Sequence, residues 1–388
     1  MNICFYTDQT ISCSTGGIGR ITSTLTDYVR NIYKWRVFSI YAFEAPNRCI
    51  RTQTDGAIRL RLHDRWNIRR DVKHNYNEAV TFIVGNQIDC IIVQTSIDVV
   101  NKLRKKLDKQ GLNKVKIIFA LHFAPGTDEW SWKGSSGIKG LFAPIRDPYI
   151  RRQTKGYYKS AYHNADKVAL LSPSYIDRYQ KYADLDGNAK FIYIPNCLSF
   201  GQGGNANTLK QKKPICLVVA RMEEAQKRIS LILNIWSQIE TPWKLVIVGT
   251  GSSLPMYKEM AERLKLKNVS FEGLQDPIPY YQQASIFLMT SAFEGFPMTI
   301  LEAQQFGCVP IAYNSFSALS DVITDNESGF ITEDRNEKAF IQRLSILMND
   351  DTLRNEMGQK ALNDCMRFKV DAIADLWHEQ ILSLWPDH

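Results

Sequence analysis

Two glutamates eight positions apart flank the predicted start of an amphipathic helix in the second half of the chain. The segment reads SAFEGFPMTILEAQQFGCVP, with Glu294 in the loop and Glu302 more than a turn inside the helix. Pro297 is tolerated at a helix start and places that start near Met298. The N–H groups of residues 295–299 would then face an anion such as a phosphate. A carboxylate beside that site can accept hydrogen bonds from two vicinal hydroxyls of a ribose or hexose.

A basic pair forms a second candidate site. Arg221 follows the apolar run ICLVVA, and Lys227 comes six residues later. Two cations at the carboxyl end of a strand can neutralise a diphosphate. Taken singly, a basic pair of this kind is usually a solvated face, and each glutamate is usually a cap or a solvated helix charge. The combination of a strand end, Gly295, Pro297 and spaced charges favours a site.

Short apolar runs that alternate with longer amphipathic stretches predict two doubly wound α/β domains in tandem, with ligand sites at the carboxyl ends of their strands. We predict a first domain over 1–197, a linker over 198–213 and a second domain over 214–367. A terminal helix, about 368–388, is expected to pack back on the first domain. The predicted strands are Ile3–Thr7, Val37–Tyr41, Cys90–Gln94, Lys116–Leu121, Val168–Leu171 and Phe191–Ile194, then Ile215–Ala220, Leu245–Gly249, Val269–Gly273, Ile286–Met289 and Val309–Tyr313.

Composition limits the function classes. The eight cysteines are scattered without a C-x-x-C pair, which disfavours a disulfide framework or a zinc site and fits a reducing cytoplasm. No apolar run approaches the length of a membrane span, and the N-terminus lacks the pattern of a secretory signal. Residues 1–200 hold 30 Lys and Arg against 17 Asp and Glu, whereas residues 201–388 hold 18 against 23. The basic half suggests an anionic partner or surface.

The wording E-G-F-P-M-T-I-L-E-A, followed by G-x-x-P, resembles the Glu–seven residues–Glu signature of the family 4 retaining glycosyltransferases, which have the GT-B fold of two Rossmann-like domains facing a cleft. It looks especially like the lipopolysaccharide, capsule and exopolysaccharide branch. The resemblance implies that Glu302 binds the ribose of a nucleotide sugar. It implies that Glu294 and neighbouring backbone groups hold the donor sugar and phosphate; these groups belong to Gly295, Phe296, Met298 and Thr299, next to Pro297, which has no N–H.

Other positions match the family as well. Arg221 and Lys227 stand where the family neutralises the leaving diphosphate, an electrostatic stabilisation of the transition state. His122, at the end of the run VKIIFALH, matches a histidine near the donor sugar; the alternative is a histidine hydrogen-bonded in the core. The resemblance assigns further donor contacts to the Gly16-Gly17 loop, to Gly249 and Gly251, and to Phe271, Gly273 and Leu274.

Three patterns have competing interpretations. Gly249-x-Gly251 after a strand hints at a dinucleotide fingerprint, but Leu254 stands where the third glycine belongs. Asp184-Leu185-Asp186 resembles an Asp-x-Asp metal motif, although its polar surroundings favour a turn. Cys197 replaces the glycine of the family's Pro-Asn-Gly at the domain junction, which leaves the geometry of that turn open.

We therefore expect a retaining enzyme that transfers a hexose or N-acetylhexosamine from a nucleotide diphosphate sugar, with UDP favoured, to a saccharide or lipid-linked acceptor, without a metal or other cofactor. The alternatives are a nucleotide-sugar epimerase, a phosphorylase or another GT-B enzyme, and an inactive nucleotide-sugar-binding protein. The basic stretches at 101–110 and 146–159 either contact anionic lipid or form solvated helix faces. A nucleic-acid partner is disfavoured because no binding module is recognisable. The expected location is the cytoplasm, at the inner face of the membrane.

Overall fold

The computed structural model describes residues 1–9, 16–43, 58–61, 69–94, 97–126 and 143–386. Within these residues the chain divides into two α/β units. Unit 1 comprises Met1–Cys197 and Val370–His388, and unit 2 comprises Leu198–Lys369.

Every strand pair in the described residues is parallel. Unit 1 has a seven-stranded sheet in the order β3-β2-β1-β4-β5-β6-β7. Its strands are β1 Asn2–Gln9, β2 Arg36–Phe43, β3 Ile58–Arg61, β4 Cys90–Val93, β5 Lys116–Leu121, β6 Lys167–Leu170 and β7 Phe191–Tyr193. Unit 2 has a six-stranded sheet in the order β10-β9-β8-β11-β12-β13. Its strands are β8 Lys213–Val219, β9 Lys244–Val248, β10 Val269–Gly273, β11 Ala284–Met289, β12 Val309–Asn314 and β13 Phe330–Glu333.

Helices connect the parallel strands, as crossover connections between such strands require. In unit 1 they are α1 Gly16–Ile32, α2 Arg69–Gly85, α3 Ile97–Lys109, α4 Ala143–Asn164 and α5 Ser174–Ala183. Unit 2 contains α6 Ala206–Lys210, α7 Glu224–Lys227, α8 Ile229–Ser237, α9 Leu254–Arg263, α10 Ile278–Gln283, α11 Met298–Gln305, α12 Glu337–Asn349 and α13 Asp351–Asp364. Short 3-10 turns span Ser317–Leu319 and Cys365–Phe368. The terminal helix α14, Val370–Leu382, belongs to unit 1.

The predicted doubly wound α/β fold is confirmed, and the composition of each strand follows from its position in the sheet. Central strands are covered on both faces and therefore consist of continuous apolar residues. All six residues of β11 are buried, as are all four of β4. The two strands that the sequence analysis missed, β3 and β13, are edge strands of four residues each. Edge strands need less apolar surface, so IRLR and FITE carry no continuous apolar run.

The predicted linker differs from the structure. Residues 206–210 form α6, because Asn205 caps that helix by accepting hydrogen bonds from the N–H groups of Asn207 and Thr208. The glycines before it pack on the end of α11, where the N–H of Gly204 donates to the carbonyl of Gln305 at 2.7 Å. A polar, glycine-rich composition therefore marks a close backbone approach here and not a free connection.

The terminal helix α14 packs on α1 in unit 1. The ring of His378 stacks on the ring of Tyr33 with 4.2 Å between centroids, and Trp377 is buried. Lys167 donates hydrogen bonds to the backbone and side-chain oxygens of Gln380 at 3.0 and 2.7 Å. These contacts bind the last helix of the chain to the first sheet.

Each sheet reverses its strand order once. The reversal lies between β1 and β4 in unit 1 and between β8 and β11 in unit 2. Parallel α/β sheets bind ligands in the crevice at the carboxyl ends of the two strands that flank such a reversal. In unit 2 the end of β8 leads into the loop with Arg221 and then into α7 with Lys227, and the end of β11 leads into the loop with Glu294.

Candidate functional site

The loop after β8 lies against the loop after β9, and two glycines permit this contact. Gly249 adopts a φ of +134°, and a Cβ at this position would lie 1.9 Å from the carbonyl oxygen of Ala220. A Cβ at Gly251 would lie 2.4 Å from the carbonyl oxygen of Met222. The Gly-x-Gly pattern is therefore required by the packing of the Arg221 loop. Donor contact by these glycines stays a prediction.

Helix α7 brings Lys227 to Glu294. The Nζ of Lys227 lies 2.5 Å from an oxygen of Glu294, and both side chains are largely buried, with 14% and 10% exposed. The amide of Gln226 lies between the charged groups. Its oxygen accepts from the guanidinium of Arg221 at 3.0 Å, and its nitrogen lies 3.4 Å from the other carboxylate oxygen of Glu294. The structure thus joins Arg221, Lys227 and Glu294 in one hydrogen-bonded cluster.

Arg228, which the sequence analysis did not identify, connects the two segments of this cluster. Its backbone is left-handed, with φ +48°, and its side chain is buried. The guanidinium donates to the carbonyls of Thr290 and Ser291 at 2.7 and 2.9 Å and pairs with Asp334 at 2.7 Å. In return the hydroxyl of Thr290 donates to the carbonyl of Lys227 at 3.2 Å. Arg228 therefore holds the chain beside Lys227 against the strand end that leads to Glu294.

Helix α11 begins at Met298, directly after Pro297. The N–H of Met298 is not available to a ligand in this structure, because it donates to the carbonyl of Phe296 at 2.8 Å and closes a tight turn. For Phe296 and Thr299, no protein acceptor for the backbone N–H lies in the described part of the chain. The ring of Phe296 packs edge-on against Phe368 at 5.7 Å, so this residue can offer a ligand only its backbone.

Glu302 is 4% exposed and lies in the second turn of α11. The hydroxyl of Tyr281 donates to one of its oxygens at 2.9 Å. A buried carboxylate needs such donors, because its transfer out of water is otherwise costly. Tyr281 lies in α10, a helix in which the sequence analysis assigned no function.

The last part of β10 and the residue after it are predicted to contact the donor. Gly273 adopts a φ of +71°, and its carbonyl accepts from the N–H of Gly249 at 2.7 Å. Leu274 is 63% exposed, whereas the ring of Phe271 packs against the core of unit 2. The loops after β9 and β10 are therefore in contact, and the role of Phe271, Gly273 and Leu274 in binding the donor stays a prediction.

In unit 1, His122 follows the last residue of β5. Both ring nitrogens are buried, and within the described residues neither has a hydrogen-bond partner. Burial lowers the pKa of His122 to about 4, because desolvation disfavours the charged ring. The histidine shares a small cavity with Gln94, Asn196 and Trp377. It is therefore a neutral imidazole at neutral pH, and the described residues do not supply the core hydrogen bond of the alternative interpretation.

Gly16 and Gly17 are the first two residues of α1, and the segment that precedes them, 10–15, lies outside the described residues. Asp184 ends α5 in a left-handed conformation with φ +54°, as a turn residue does. Among the residues that the structure describes, no group of three His, Cys, Asp or Glu side chains could hold a metal ion. Six cysteines are described as free and buried; Cys13 and Cys49 lie outside the described residues. In the described helices, none combines the length and the apolar character needed to cross a bilayer.

Comparisons with known proteins concern the family and the fold of the chain. Residues 204–364 match the model of the family described as glycosyl transferases group 1. The chain is 27% identical to the amylovoran biosynthesis glycosyltransferase AmsD of Erwinia amylovora over 56% of this chain and 62% of that protein. It is 22% identical, over 56% of this chain and 60% of the relative, to a Campylobacter jejuni α-1,4-N-acetyl-D-galactosaminyltransferase whose name includes a diphospho-undecaprenol saccharide. The chain thus spans about three fifths of the length of these two relatives.

The fold is also found in solved structures. Anabaena HepE, determined in complex with UDP and glucose, superimposes with a TM-score of 0.71 at 14% identity, over 98% of this chain and 99% of that one. A likeness at this identity concerns the fold, and it extends over both units. Residues 204–364, most of unit 2, thus match the model of an enzyme family, and the chain as a whole has the GT-B fold.

Proposed function

We propose that this chain transfers a hexose or N-acetylhexosamine from a UDP-sugar to a saccharide or lipid-linked acceptor in the synthesis of a cell-surface polysaccharide, with retention of the anomeric configuration. One observation carries the proposal. The ends of β8 and β11, which flank the strand-order reversal, bring Arg221, Lys227 and Glu294 into one cluster. The relatives named above, which act in polysaccharide synthesis or on a lipid-linked saccharide, support the reaction class.

The cluster suits the chemistry of a diphosphate leaving group. As the bond between C1 of the sugar and the phosphate oxygen breaks, negative charge develops on the diphosphate. Lys227 and Arg221 stabilise that charge, and so does the N–H of Thr299 at the start of α11. Because these groups are fixed before the reaction, they need no reorganisation in the transition state. Two cations from the protein supply the positive charge, so the proposal requires no metal ion.

Retention follows from attack on the face that the diphosphate leaves. The acceptor hydroxyl forms the new bond to C1, and its proton passes to the departing phosphate oxygen. Glu294 is paired with Lys227 in this structure, and we assign it to the hydroxyls of the donor sugar, not to proton transfer. Glu302 accepts hydrogen bonds from the ribose hydroxyls. We assign His122, whose two ring nitrogens are buried, to orienting the donor sugar.

A thermal-shift screen against nucleotide sugars tests the donor. A ligand that binds the folded state stabilises it by RT ln(1 + [L]/Kd), or about 2.7 kcal/mol at a hundred times Kd. We expect UDP-hexoses or UDP-N-acetylhexosamines to raise the unfolding temperature and GDP-sugars to leave it unchanged. Transfer from the best labelled donor, in buffer with EDTA, is then compared for the wild type and for Lys227→Ala and Glu294→Ala. Full transfer by both variants would falsify the site assignment.

We further propose that unit 1 contacts anionic lipid at the cytoplasmic face of the membrane. In α3 the apolar residues Val99, Val100, Leu103 and Leu107 are buried, and Lys102, Lys105 and Lys109 are exposed. Each lysine near an anionic surface contributes about 1 kcal/mol. Binding to vesicles that contain phosphatidylglycerol, but not to phosphatidylcholine vesicles, is the expected result. Replacement of the three lysines by glutamine should abolish this binding, and a variant that still binds would show that α3 has no such role.

A further inference from the structure

Tyr281 contacts the carboxylate to which the proposed function assigns the ribose. Its side chain is completely buried, and its hydroxyl lies 2.9 Å from an oxygen of Glu302. The carboxylate itself is 4% exposed, so water is a poor source of hydrogen bonds for it. A hydrogen bond from a neutral donor to a charged acceptor is stronger than one between neutral groups. The hydroxyl therefore favours one orientation of the carboxylate.

Contacts of both the ring and the backbone of Tyr281 hold its hydroxyl in place. Its ring lies parallel to that of Phe306, with 4° between the planes and 6.0 Å between centroids, and Phe306 ends the same helix that carries Glu302. The backbone carbonyl of Tyr281 accepts from Nζ of Lys212 at 2.7 Å and from Sγ of Cys308 at 3.1 Å. Neither the ring nor the backbone can move without breaking these contacts, so the donor to Glu302 occupies a fixed position.

We propose that Tyr281 is a positioning residue for Glu302, one that orients its carboxylate to accept hydrogen bonds from the ribose hydroxyls of the donor. The inference rests on the proposed function of Glu302 and adds a residue to it. Pre-orientation matters because a carboxylate that rotates freely loses conformational freedom when the ligand binds. Without the hydroxyl, Glu302 would still be present and charged, but it would discriminate less well between ligands with and without ribose hydroxyls.

The test compares UDP with 2′,3′-dideoxy-UDP by isothermal titration calorimetry. For the wild type we expect UDP to bind about 10- to 100-fold more tightly, since the analogue lacks both hydroxyl donors to a charged acceptor. Tyr281→Phe keeps the ring and removes only the hydroxyl. We expect this variant to reduce the ratio of the two dissociation constants, analogue over UDP, to about 3-fold or less. The reason is that UDP binding weakens while binding of the analogue changes little. A general loss of stability would weaken both ligands alike and leave the ratio unchanged.

Two further variants separate the possible failures. Tyr257→Phe is the matched control, because Tyr257 is also completely buried and donates to a carboxylate, that of Glu224, at 2.8 Å. It should keep the wild-type ratio, whereas Glu302→Gln should lose it. If Glu302→Gln loses the ratio and Tyr281→Phe keeps it, the role of Tyr281 is refuted and the ribose assignment stands. If Glu302→Gln keeps the ratio, the ribose assignment itself is wrong.

Another variant that alters the position of the Tyr281 hydroxyl covers the case in which Tyr281→Phe does not fold. Phe306→Leu retains the hydroxyl but removes the ring that packs parallel to Tyr281. It should lower the ratio at least about 3-fold, because the hydroxyl loses its fixed position. An unchanged ratio in this variant overturns the inference.

Discussion

The ion pair between Lys227 and Glu294 makes a prediction in which stability and activity separate. The charged atoms lie 2.5 Å apart, and only 14% and 10% of the two side chains are exposed. Replacing Lys227 alone by methionine removes the ammonium group from a carboxylate that solvent reaches poorly. For fully buried pairs this costs about 3–5 kcal/mol. Because part of each side chain still meets solvent, we expect about 2–3 kcal/mol for Lys227→Met.

The double variant Lys227→Met/Glu294→Gln removes both charges and keeps the size of both side chains. We expect it to regain most of the loss and to unfold within about 1 kcal/mol of the wild type. In a domain of this size 1 kcal/mol corresponds to about 2–4 °C. Lys227→Met should therefore unfold about 4–12 °C below the wild type, and the double variant within about 4 °C of it. Thermal unfolding of the four proteins of the cycle measures this, and the wild-type transition that UDP raises identifies unit 2.

Activity should not follow stability in this cycle. Loss of a preorganised charge that stabilises the leaving diphosphate costs about 100- to 1,000-fold in turnover. The double variant should be as stable as the wild type and as inactive as either single variant. If it is no more stable than the weaker single variant, the ion-pair argument is wrong. If it transfers sugar at the wild-type rate, the catalytic assignment of both residues is wrong.

Three more predictions concern the surroundings of the site. Arg228→Met should lower the turnover for sugar transfer at least about 10-fold, because the chain beside Lys227 is then no longer held to the strand end that leads to Glu294. Arg354→Met, which removes a similar side-chain hydrogen bond to a backbone carbonyl remote from the cluster, should lose stability but keep wild-type transfer. Equal transfer by both variants would contradict the role of Arg228. Gly249→Ala should prevent expression of soluble protein, since the new Cβ would lie 1.9 Å from a backbone oxygen. Gly111 has a φ of +70° but open space around it, so Gly111→Ala should lower the free energy of unfolding in urea by only about 1–2 kcal/mol. Similar losses of stability in the two variants would refute the packing argument. The pKa of His122 is about 4 in the folded protein and 6.5 without burial, so the wild type should lose about 3 kcal/mol of stability as the pH falls from 6.5 to 4, with no further loss from this group below that. In urea unfolding at pH 7 and 5, His122→Leu should lack this pH-dependent loss. An unchanged pH dependence in the variant would show that the ring is not buried as a neutral group.

The sequence identifies most of this fold because central parallel strands are continuous apolar runs. The predicted bounds of Lys116–Leu121 coincide with the central strand β5, and those of Val269–Gly273 coincide with the edge strand β10. Two other edge strands, β3 and β13, escape detection, since Ile58–Arg61 alternates apolar and charged residues and Phe330–Glu333 is half polar. Residues 206–210 are polar as well, yet a single capping residue, Asn205, is enough to start a helix there.

The charged residues of the site could be found from the sequence because each follows a strand end or a helix start. Their supporting residues could not. Arg228 contacts carbonyls 62 and 63 positions away and a carboxylate 106 positions away, and Tyr281 contacts Glu302 from 21 positions away. Nothing in the local sequence distinguishes Arg228 from a surface arginine or Tyr281 from a core tyrosine. The roles of the supporting residues can be recognised only when the fold brings distant segments together.

The ion pair also constrains how a donor can bind under the proposed function. In the structure Lys227 and Glu294 neutralise each other, so a diphosphate can attract Lys227 only by taking it from the carboxylate. A free nucleoside diphosphate would take the ammonium group away from a carboxylate that is only 10% exposed, which is unfavourable. A nucleotide sugar replaces both partners, because its phosphates accept from Lys227 while its sugar hydroxyls donate to Glu294. The cluster therefore couples recognition of the sugar to recognition of the diphosphate, and it favours release of the nucleotide once the sugar has been transferred.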